Sequence, residues 1–300
     1  MAMGFGCNAA GVVGCRIIDS PRERLIAILT NSMVPCNAIL TNSLVPCNGR
    51  FPTLITLSLF FMGCFQASKS GIFSIPPSLA TALLLTGLIL LGIGATLLSS
   101  LILSKTLLCG MPSSFTLELP PYRRPQLSKI IVRSVLDRTL FVLGRALLVA
   151  APAGLIIWLS ANIQWNGVSL LAHLSGFLDP FGRLLGMDGI ILTGFILGFP
   201  ANEIVIPIIL MAYLQTGQLV EMSDQAQLFS LLSAHGWTAK TAVCMAVFSL
   251  FHWPCSTTCL TIGKETKSAK WTLLSIAIPT GIGMAVCFLV ASAARLLGLA

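Results

Sequence analysis

Gly198-Phe199-Pro200-Ala201-Asn202-Glu203-Ile204-Val205-Ile206-Pro207 sets two prolines, an amide and a carboxylate inside an otherwise apolar run, and its reading decides the fold. Apolar residues flank it from Gly189 to Leu197 and from Ile208 to Leu214. Glu203 thus falls near the middle of a segment long enough to cross a bilayer, about 20 residues. A carboxylate at that depth is costly and is kept where it faces a cavity, a partner or a transported ion. Pro200 and Pro207 donate no backbone hydrogen bond, so a broken helix is expected, with freed carbonyls to line a polar path.

The composition around this stretch agrees. Of the 300 residues 55% are hydrophobic and 9% charged, with a mean hydropathy of +0.90, whereas soluble domains carry about 25% charged residues. The chain reads as an all-α polytopic membrane protein. Its net charge of +8 sits beside apolar spans, as in cytoplasmic loops, and no basic domain exists to bind nucleic acid. The ten cysteines do not form the framework of a small secreted protein. Cys64, Cys109, Cys244 and Cys287 read as small packing residues, and Cys15 is left open. Gly263-Lys264 lacks the upstream glycine of a phosphate-binding loop, and His173 and His235 have no zinc-ligand spacing. No catalytic constellation emerges, so an enzyme is not expected. Met1 to Cys7 carries no charge and resembles the middle of a membrane segment more than a signal peptide, so a truncated chain is expected.

Working outward, the chain divides into 1–104, a first gate-like repeat with its following membrane helices, 105–138, a basic cytoplasmic connector, and 139–300, a second gate-like repeat with C-terminal membrane helices. Ala27 to Asn37 is followed at once by Ala38 to Asn48 with ten of eleven positions identical, a local duplication. Phe51 to Gln66 and Leu79 to Ser104 are apolar spans. In the connector, Leu127, Ile130, Ile131 and Val135 recur at helical spacing among arginines and predict an amphipathic surface helix. Leu140 to Ile163 spans, Gly167 to Met187 reads as interfacial or re-entrant, and Thr216 to Trp237 as a polar, weakly amphipathic connector. Thr238 to Leu260 is a second broken segment, interrupted at His252-Trp253-Pro254-Cys255, and Lys264, Lys267 and Lys270 precede the last span. If both basic regions are cytoplasmic, an even number of crossings separates them. Three apolar segments lie between, so one, best the Pro200 to Pro207 segment, is re-entrant or a hairpin.

A repeat ties the breaks together. Met3-Gly4-Phe5-Gly6-Cys7-Asn8 parallels Leu197-Gly198-Phe199-Pro200-Ala201-Asn202, and Val45-Pro46-Cys47-Asn48 parallels Trp253-Pro254-Cys255-Ser256. Paired, Gly/Pro-interrupted apolar segments point to a transporter site at the repeat interface, against the plainer reading of helix packing by small residues. Cys7, Cys47, Cys255 and Glu203 are candidate metal ligands, and Asn8, Asn202 and Pro254 with its freed carbonyls complete the candidate ion path and gate. Thiol, carboxylate, amide and carbonyl together suit a borderline transition metal such as Fe²⁺ better than Mg²⁺ or Ca²⁺. Cys36, His252 and Cys259 are further possible ligands. His252 also reads as an interfacial ring beside Trp253, and Cys259 extends the Cys255 face by one turn.

These residues resemble a known family. Gly4-Phe5-Gly6-Cys7-Asn8, Arg22-Glu23-Arg24-Leu25 and Val45-Pro46-Cys47 before Gly49-Arg50-Phe51-Pro52 are similar to the first gate of ferrous iron transport protein B. Leu117-Glu118-Leu119-Pro120-Pro121-Tyr122-Arg123 is similar to its membrane-core connector. Pro200 to Val205 is similar to the second gate, where a lysine often stands at the place of Asn202, and Pro254-Cys255 with Lys264-Glu265-Thr266 and Lys270-Trp271 to the C-terminal gate. The resemblance implies a multi-pass protein of the bacterial inner membrane that moves Fe²⁺ inward as its cargo, with no permanently bound cofactor. It implies as partners the lipid bilayer, a cytoplasmic GTP-binding domain, small accessory proteins and further copies of the chain. It covers the permease half, without the GTP-binding domain. Either Cys36 or Cys47 takes the first gate position, Cys47 being favoured by the residues after it. The alternatives are a gate-family transporter of another substrate, such as a nucleoside, and a non-transporting remnant.

Overall fold

The computed structural model describes residues 8–18, 20–31, 50–67, 77–106, 141–222 and 224–297. The amphipathic helix expected in the connector, and most of the duplicated segment, lie outside these residues. The described chain is helical, as the composition requires. It begins with α1 (Asn8–Gly14) and a 3-10 turn (Cys15–Ile17), then α2 (Pro21–Asn31), α3 (Phe51–Ala67), α4 (Pro77–Lys105) and α5 (Phe141–Asn162). A short hairpin of β1 (Gln164–Trp165) and β2 (Val168–Ser169) leads to α6 (Leu170–Leu184) and α7 (Gly189–Leu197), then a 3-10 turn (Asn202–Ile204) and α8 (Val205–Leu214). The chain ends with α9 (Gln225–Ala234), α10 (Ala239–Phe251), α11 (Ser256–Thr266) and α12 (Ala269–Leu296).

Local chemistry sets these boundaries. Pro21 and Pro77 open α2 and α4, where a missing N–H costs nothing. Ser169, Asp188, Asp224 and Thr238 cap α6, α7, α9 and α10, each side chain accepting from a backbone N–H in the first turn. Asn166 and Gly167, with φ of 55° and 79°, make the mirror-image turn that Asn-Gly favours between two strands.

Among the described residues three stretches are long and apolar enough to cross a bilayer, Ser78–Lys105, Ala239–Thr266 and Ala269–Leu296, and α6 with α7 makes a fourth only if the pair, bent by 111°, counts as one. The 22 residues of α5 add a helix of about 33 Å. On α4 and α6 the apolar side chains point outward: Leu90, Leu97 and Leu98 are exposed, and so are Phe177 and Phe181, whereas Ser175 and Gly182 of α6 face in. That is the polarity of helices solvated by lipid.

Contacts between helix ends show which termini share a side. At one end Arg16 forks onto Glu265 with both bonds at 2.6 Å, and Arg22 Nη2 donates to Ser104 O at 2.8 Å. This basic end holds the start of α2, the ends of α4 and α11, and the lysine loop. At the far end Asn162 Nδ2 donates to Gly217 O at 3.0 Å, Tyr213 donates to Asp188, Trp237 Nε1 donates to Tyr213 OH at 2.8 Å, and Arg295 donates to Arg183 O. The ends of α5, α8 and α12 and the starts of α7 and α10 therefore gather there. So α7 dips in from the far end, residues 198–204 form the tip, and α8 returns. α10 and α11 together cross the whole way to the basic end. Among the described residues, α10–α11 thus runs from the far end to the basic end, while α7 and α8 enter and leave at the far end as a re-entrant hairpin does.

Three expectations are corrected in detail. Glu203 does not sit midway along one crossing, because α7 and α8, of 9 and 10 residues, are separate helices of about 15 Å each. Pro207 does not break the helix: it is the third residue of α8, where its missing N–H has no partner to lose. The polar connector after Leu214 holds a helix, α9.

The core is built around the hairpin. Ile191 and Phe195 of α7, Ile209 and Leu210 of α8, Leu54 and Leu57 of α3, and Met245, Phe248 and Leu250 of α10 form one buried cluster. A smaller cluster of Val12, Cys15, Ile28 and Ile262 joins α1 and α2 to α11. The cysteines read as packing residues behave so where they are described: Cys244 and Cys287 are buried, the Cys287 thiol 3.2 Å from Cys244 O.

Candidate functional site

The tip of the hairpin touches the break in the crossing helix. α7 ends at Leu197, and the turns that follow leave the Phe199 and Pro200 carbonyls without partners in their own segment. Both are taken by one residue across the junction: Ser256 N donates to Phe199 O at 2.9 Å and Ser256 Oγ to Pro200 O at 3.3 Å. Ser256 opens α11, immediately after Pro254-Cys255. An orphan N–H of one break thus satisfies an orphan carbonyl of the other.

A side-chain contact lies beside this pair. His252, only 1% exposed, has Nδ1 2.9 Å from Ser249 O and Nε2 3.3 Å from Asn202 Oδ1. With Nδ1–H donated to the carbonyl, the Nε2 lone pair faces the Asn202 amide, an arrangement satisfied when that amide presents its NH₂. Phe195 at 4.9 Å and Trp253 at 5.9 Å between ring centroids enclose the imidazole. His252 is therefore a buried ring at the junction, not an interfacial one. Gly194 and Gly198 let α7 and α8 close up here: a Cβ on Gly194 would stand 2.7 Å from Ile209 Cγ1, and in lipid such close packing, not transfer from water, holds helices together.

The break itself is capped from elsewhere. α10 ends at Phe251, and Pro254 supplies no N–H to the Leu250 carbonyl one turn back. Arg50, 1% exposed, donates from Nη1 to Leu250 O at 3.0 Å and from Nη2 to His252 O and Trp253 O, each at 3.2 Å. Sequence reading did not single out Arg50 as a site residue. A lone arginine heading the apolar run from Phe51 reads equally well as an interfacial anchor, and only the fold shows that it points inward.

Of the residues expected to form the ion path, Asn202, Pro254 and Cys255 meet at this junction. The Cys255 thiol lies 3.2 Å from Thr258 Oγ1, and Cys259, buried one turn on, approaches Pro254 O at 3.5 Å. Glu203 is on the tip but exposed, and no hydrogen bond or ion pair among the described residues holds it. Asn8 opens α1, which packs along α11. Cys7, Cys36 and Cys47 lie outside the described residues. Among the described residues no three of His, Cys, Asp and Glu come together as a metal site.

The helices that follow the matching sequence stretches run in opposite senses. After its Gly-Phe-x-x-Asn stretch the first half sends α1 toward the basic end, where Arg16 meets Glu265. After the same stretch the second half sends α8 to the far end. After Pro-Cys, α3 leaves from the Arg50 junction toward the far end, where Phe60 packs on Phe229 and Trp237, whereas α11 runs to the basic end.

At the far end a cavity of about 520 Å³ opens between α5, α6, α7 and α8, with Asp179 and Asp188 in its lining. Asp179 accepts from Gly189 N at 3.1 Å and pairs with Arg183 at 2.7 Å. Asp188 caps α7 and accepts from Tyr213.

An all-α multi-pass membrane protein with a re-entrant hairpin set against a broken helix is the class these features define. Residues 85–137 match the family described as "Ferrous iron transport protein B C terminus", and residues 143–269 the family described as "Nucleoside recognition". Among curated proteins the chain is 28% identical to the Fe(2+) transporter FeoB of Staphylococcus aureus (strain COL), over 93% of this chain and 38% of that protein. It is 24% identical to the Fe(2+) transporter FeoB of Methanocaldococcus jannaschii, over 92% of this chain and 38% of that protein. It is also 24% identical to that of Leptospira interrogans serogroup Icterohaemorrhagiae serovar copenhageni, over 95% and 41%. No solved structure matches the chain. The resemblance drawn from the gate motifs is borne out: over nearly its whole length the chain is similar to the C-terminal membrane region of ferrous iron transport protein B. It spans about two-fifths of the length of the relatives it matches.

Proposed function

We propose that this chain forms the permease of a ferrous iron transporter, with Fe²⁺ as cargo crossing at the junction of tip and break. The observation that carries the reading is the meeting of two helix C-terminal ends, α7 at Leu197 and α10 at Phe251, with both sets of unwound carbonyls at one place. Helix C-termini are the negative ends of the helix dipole and favour cations, and unwound carbonyls can replace a cation's hydration shell. Cys255, with Cys259 behind it, supplies soft donors there, and Asn202 and the His252 Nε2 lone pair supply harder ones. Glu203 on the tip, and Cys7, Asn8 and Cys47 (or Cys36) of the first half, complete the path.

The basic end is cytoplasmic by the positive-inside rule, so the cavity lined by Asp179 and Asp188 is the outer mouth and transport runs inward across a bacterial inner membrane. On the family resemblance carried by the gate motifs, a GTP-binding domain and small accessory proteins act on the basic end, and the chain works as a homo-oligomer. The test is Fe²⁺ uptake under anaerobic, reducing conditions, with Cys255→Ser and Glu203→Ala compared with the parent. Loss in both with normal membrane insertion is expected, and normal uptake in both refutes the path. The match of residues 143–269 to a family described as "Nucleoside recognition" favours a second reading. Nucleoside uptake insensitive to Cys255→Ser would establish it.

A further inference from the structure

We infer that Arg50 is a positioning residue for the gate, the pin by which the first half of the chain holds the break in the second half closed. Pro254 removes the N–H that would bond the Leu250 carbonyl, and α10 stops three residues before it. The C-terminal end of α10 then presents carbonyls at 250, 252 and 253 inside the protein, each needing a donor. Arg50 meets all three with one guanidinium, at 3.0, 3.2 and 3.2 Å. Its positive charge also suits the negative end of the helix. The fit is specific to arginine, since a planar fork reaches several acceptors at once whereas a lysine ammonium acts as a point charge. Arg50 directly precedes α3, whose first turn it joins, Leu54 N donating to Arg50 O at 3.0 Å. α3 packs along α10, so any shift between the two halves pulls on the three carbonyls and thereby on Pro254-Cys255.

The pin also bears on what the break can hold. The carbonyls that Arg50 occupies are the kind a dehydrated cation would use, so the guanidinium stands in their place while the break is closed. This adds a role for the first half to the iron reading. Its test uses no iron, so its failure leaves that reading standing and the converse also holds.

Alkylation of Cys255 by N-ethylmaleimide provides the measurement, in the full chain reconstituted in liposomes with Cys255 as its sole cysteine. Arg50→Met is expected to speed alkylation by about tenfold or more, the change that loss of a charge-assisted hydrogen bond makes in a local opening equilibrium. Arg50→Lys is expected to fall between the parent and Arg50→Met, because one cation remains at the helix end but a point charge does not reach the three carbonyls at once; a parent-like rate would overturn the need for the fork. Pro254→Ala restores an N–H to the Leu250 carbonyl, so Arg50→Met in that background is expected to have a much smaller effect. A parallel chain with Cys244 alone, buried on α10, is expected to show no change. An unaltered Cys255 rate in folded Arg50→Met overturns the inference, as does an equal rise at Cys244, which would mean general loosening. If Arg50→Met fails to reach the membrane, its recovery by Pro254→Ala supports the pin and its failure to recover overturns it.

Discussion

Replacing Gly198 by alanine tests whether the tip's close packing sets the junction. A Cβ at Gly198 would stand 2.6 Å from Val205 Cγ2 and 2.8 Å from Gly194 O. The carbonyl cannot retreat freely, because it accepts from Gly198 N at 2.8 Å and that bond closes the end of α7. Relief must come from parting α7 and α8 by several tenths of an ångström at the tip. Overpacking by one methyl costs about 1–3 kcal/mol, a factor of about 5 to 150 in the closed population. The same movement carries the Phe199 and Pro200 carbonyls off Ser256. Thermal unfolding in detergent should fall by a few degrees, and uptake into proteoliposomes should fall by more than the loss of folded protein explains. Val205→Ala removes the clashing methyl, so the double variant should be less destabilised than the two single effects summed, by roughly 1 kcal/mol. Gly87→Ala on α4, where a Cβ meets nothing within 4 Å, is the control and should be neutral. An unchanged Gly198→Ala, or strict additivity with Val205→Ala, would refute the reasoning.

Three further outcomes are expected. Gly189→Ala should fail to assemble, because its Cβ would lie 1.9 Å from Ser175 O where α6 and α7 cross; membrane-fraction yield measures this, and a normal yield would show that the bend is more open. Tyr213→Phe strips Asp188 of a donor and Trp237 Nε1 of its acceptor, so it should cost about 1–3 kcal/mol, read from the unfolding midpoint. Pro207→Ala should stay within about 1 kcal/mol of the parent by the same measurement, since Pro207 is in the first turn of α8 and no helical bond is at stake.

The break at Pro200 was legible in the sequence because proline and glycine interrupting an apolar run leave carbonyls that only a fold can satisfy. Pro254-Cys255 was legible as a second break, but its contact with the first was not. The parity of the basic loops pointed to a re-entrant element without locating the sharp bend that leads into it, between Leu184 and Gly189. What stayed hidden depended on direction. Arg50 looks the same in sequence whether it faces lipid headgroups or the protein interior. His252 beside Trp253 fits a membrane interface as well as a buried junction. Pro207 reads as a breaker until its helix is seen to begin at Val205. Asp179, Asp188 and Tyr213 sit on three elements far apart in sequence, and no spacing rule joins them before the hairpin folds.

The junction explains why the two breaks belong together. Each break exposes groups that neither can satisfy alone: the tip has carbonyls at 199 and 200, and α11 has an unbonded N–H and hydroxyl at Ser256. Closing one on the other satisfies these groups. Opening reverses this and leaves at least two buried carbonyls unpaired, at about 1–3 kcal/mol each. On the iron reading proposed above, a cation arriving there would offset that cost by taking the carbonyls itself.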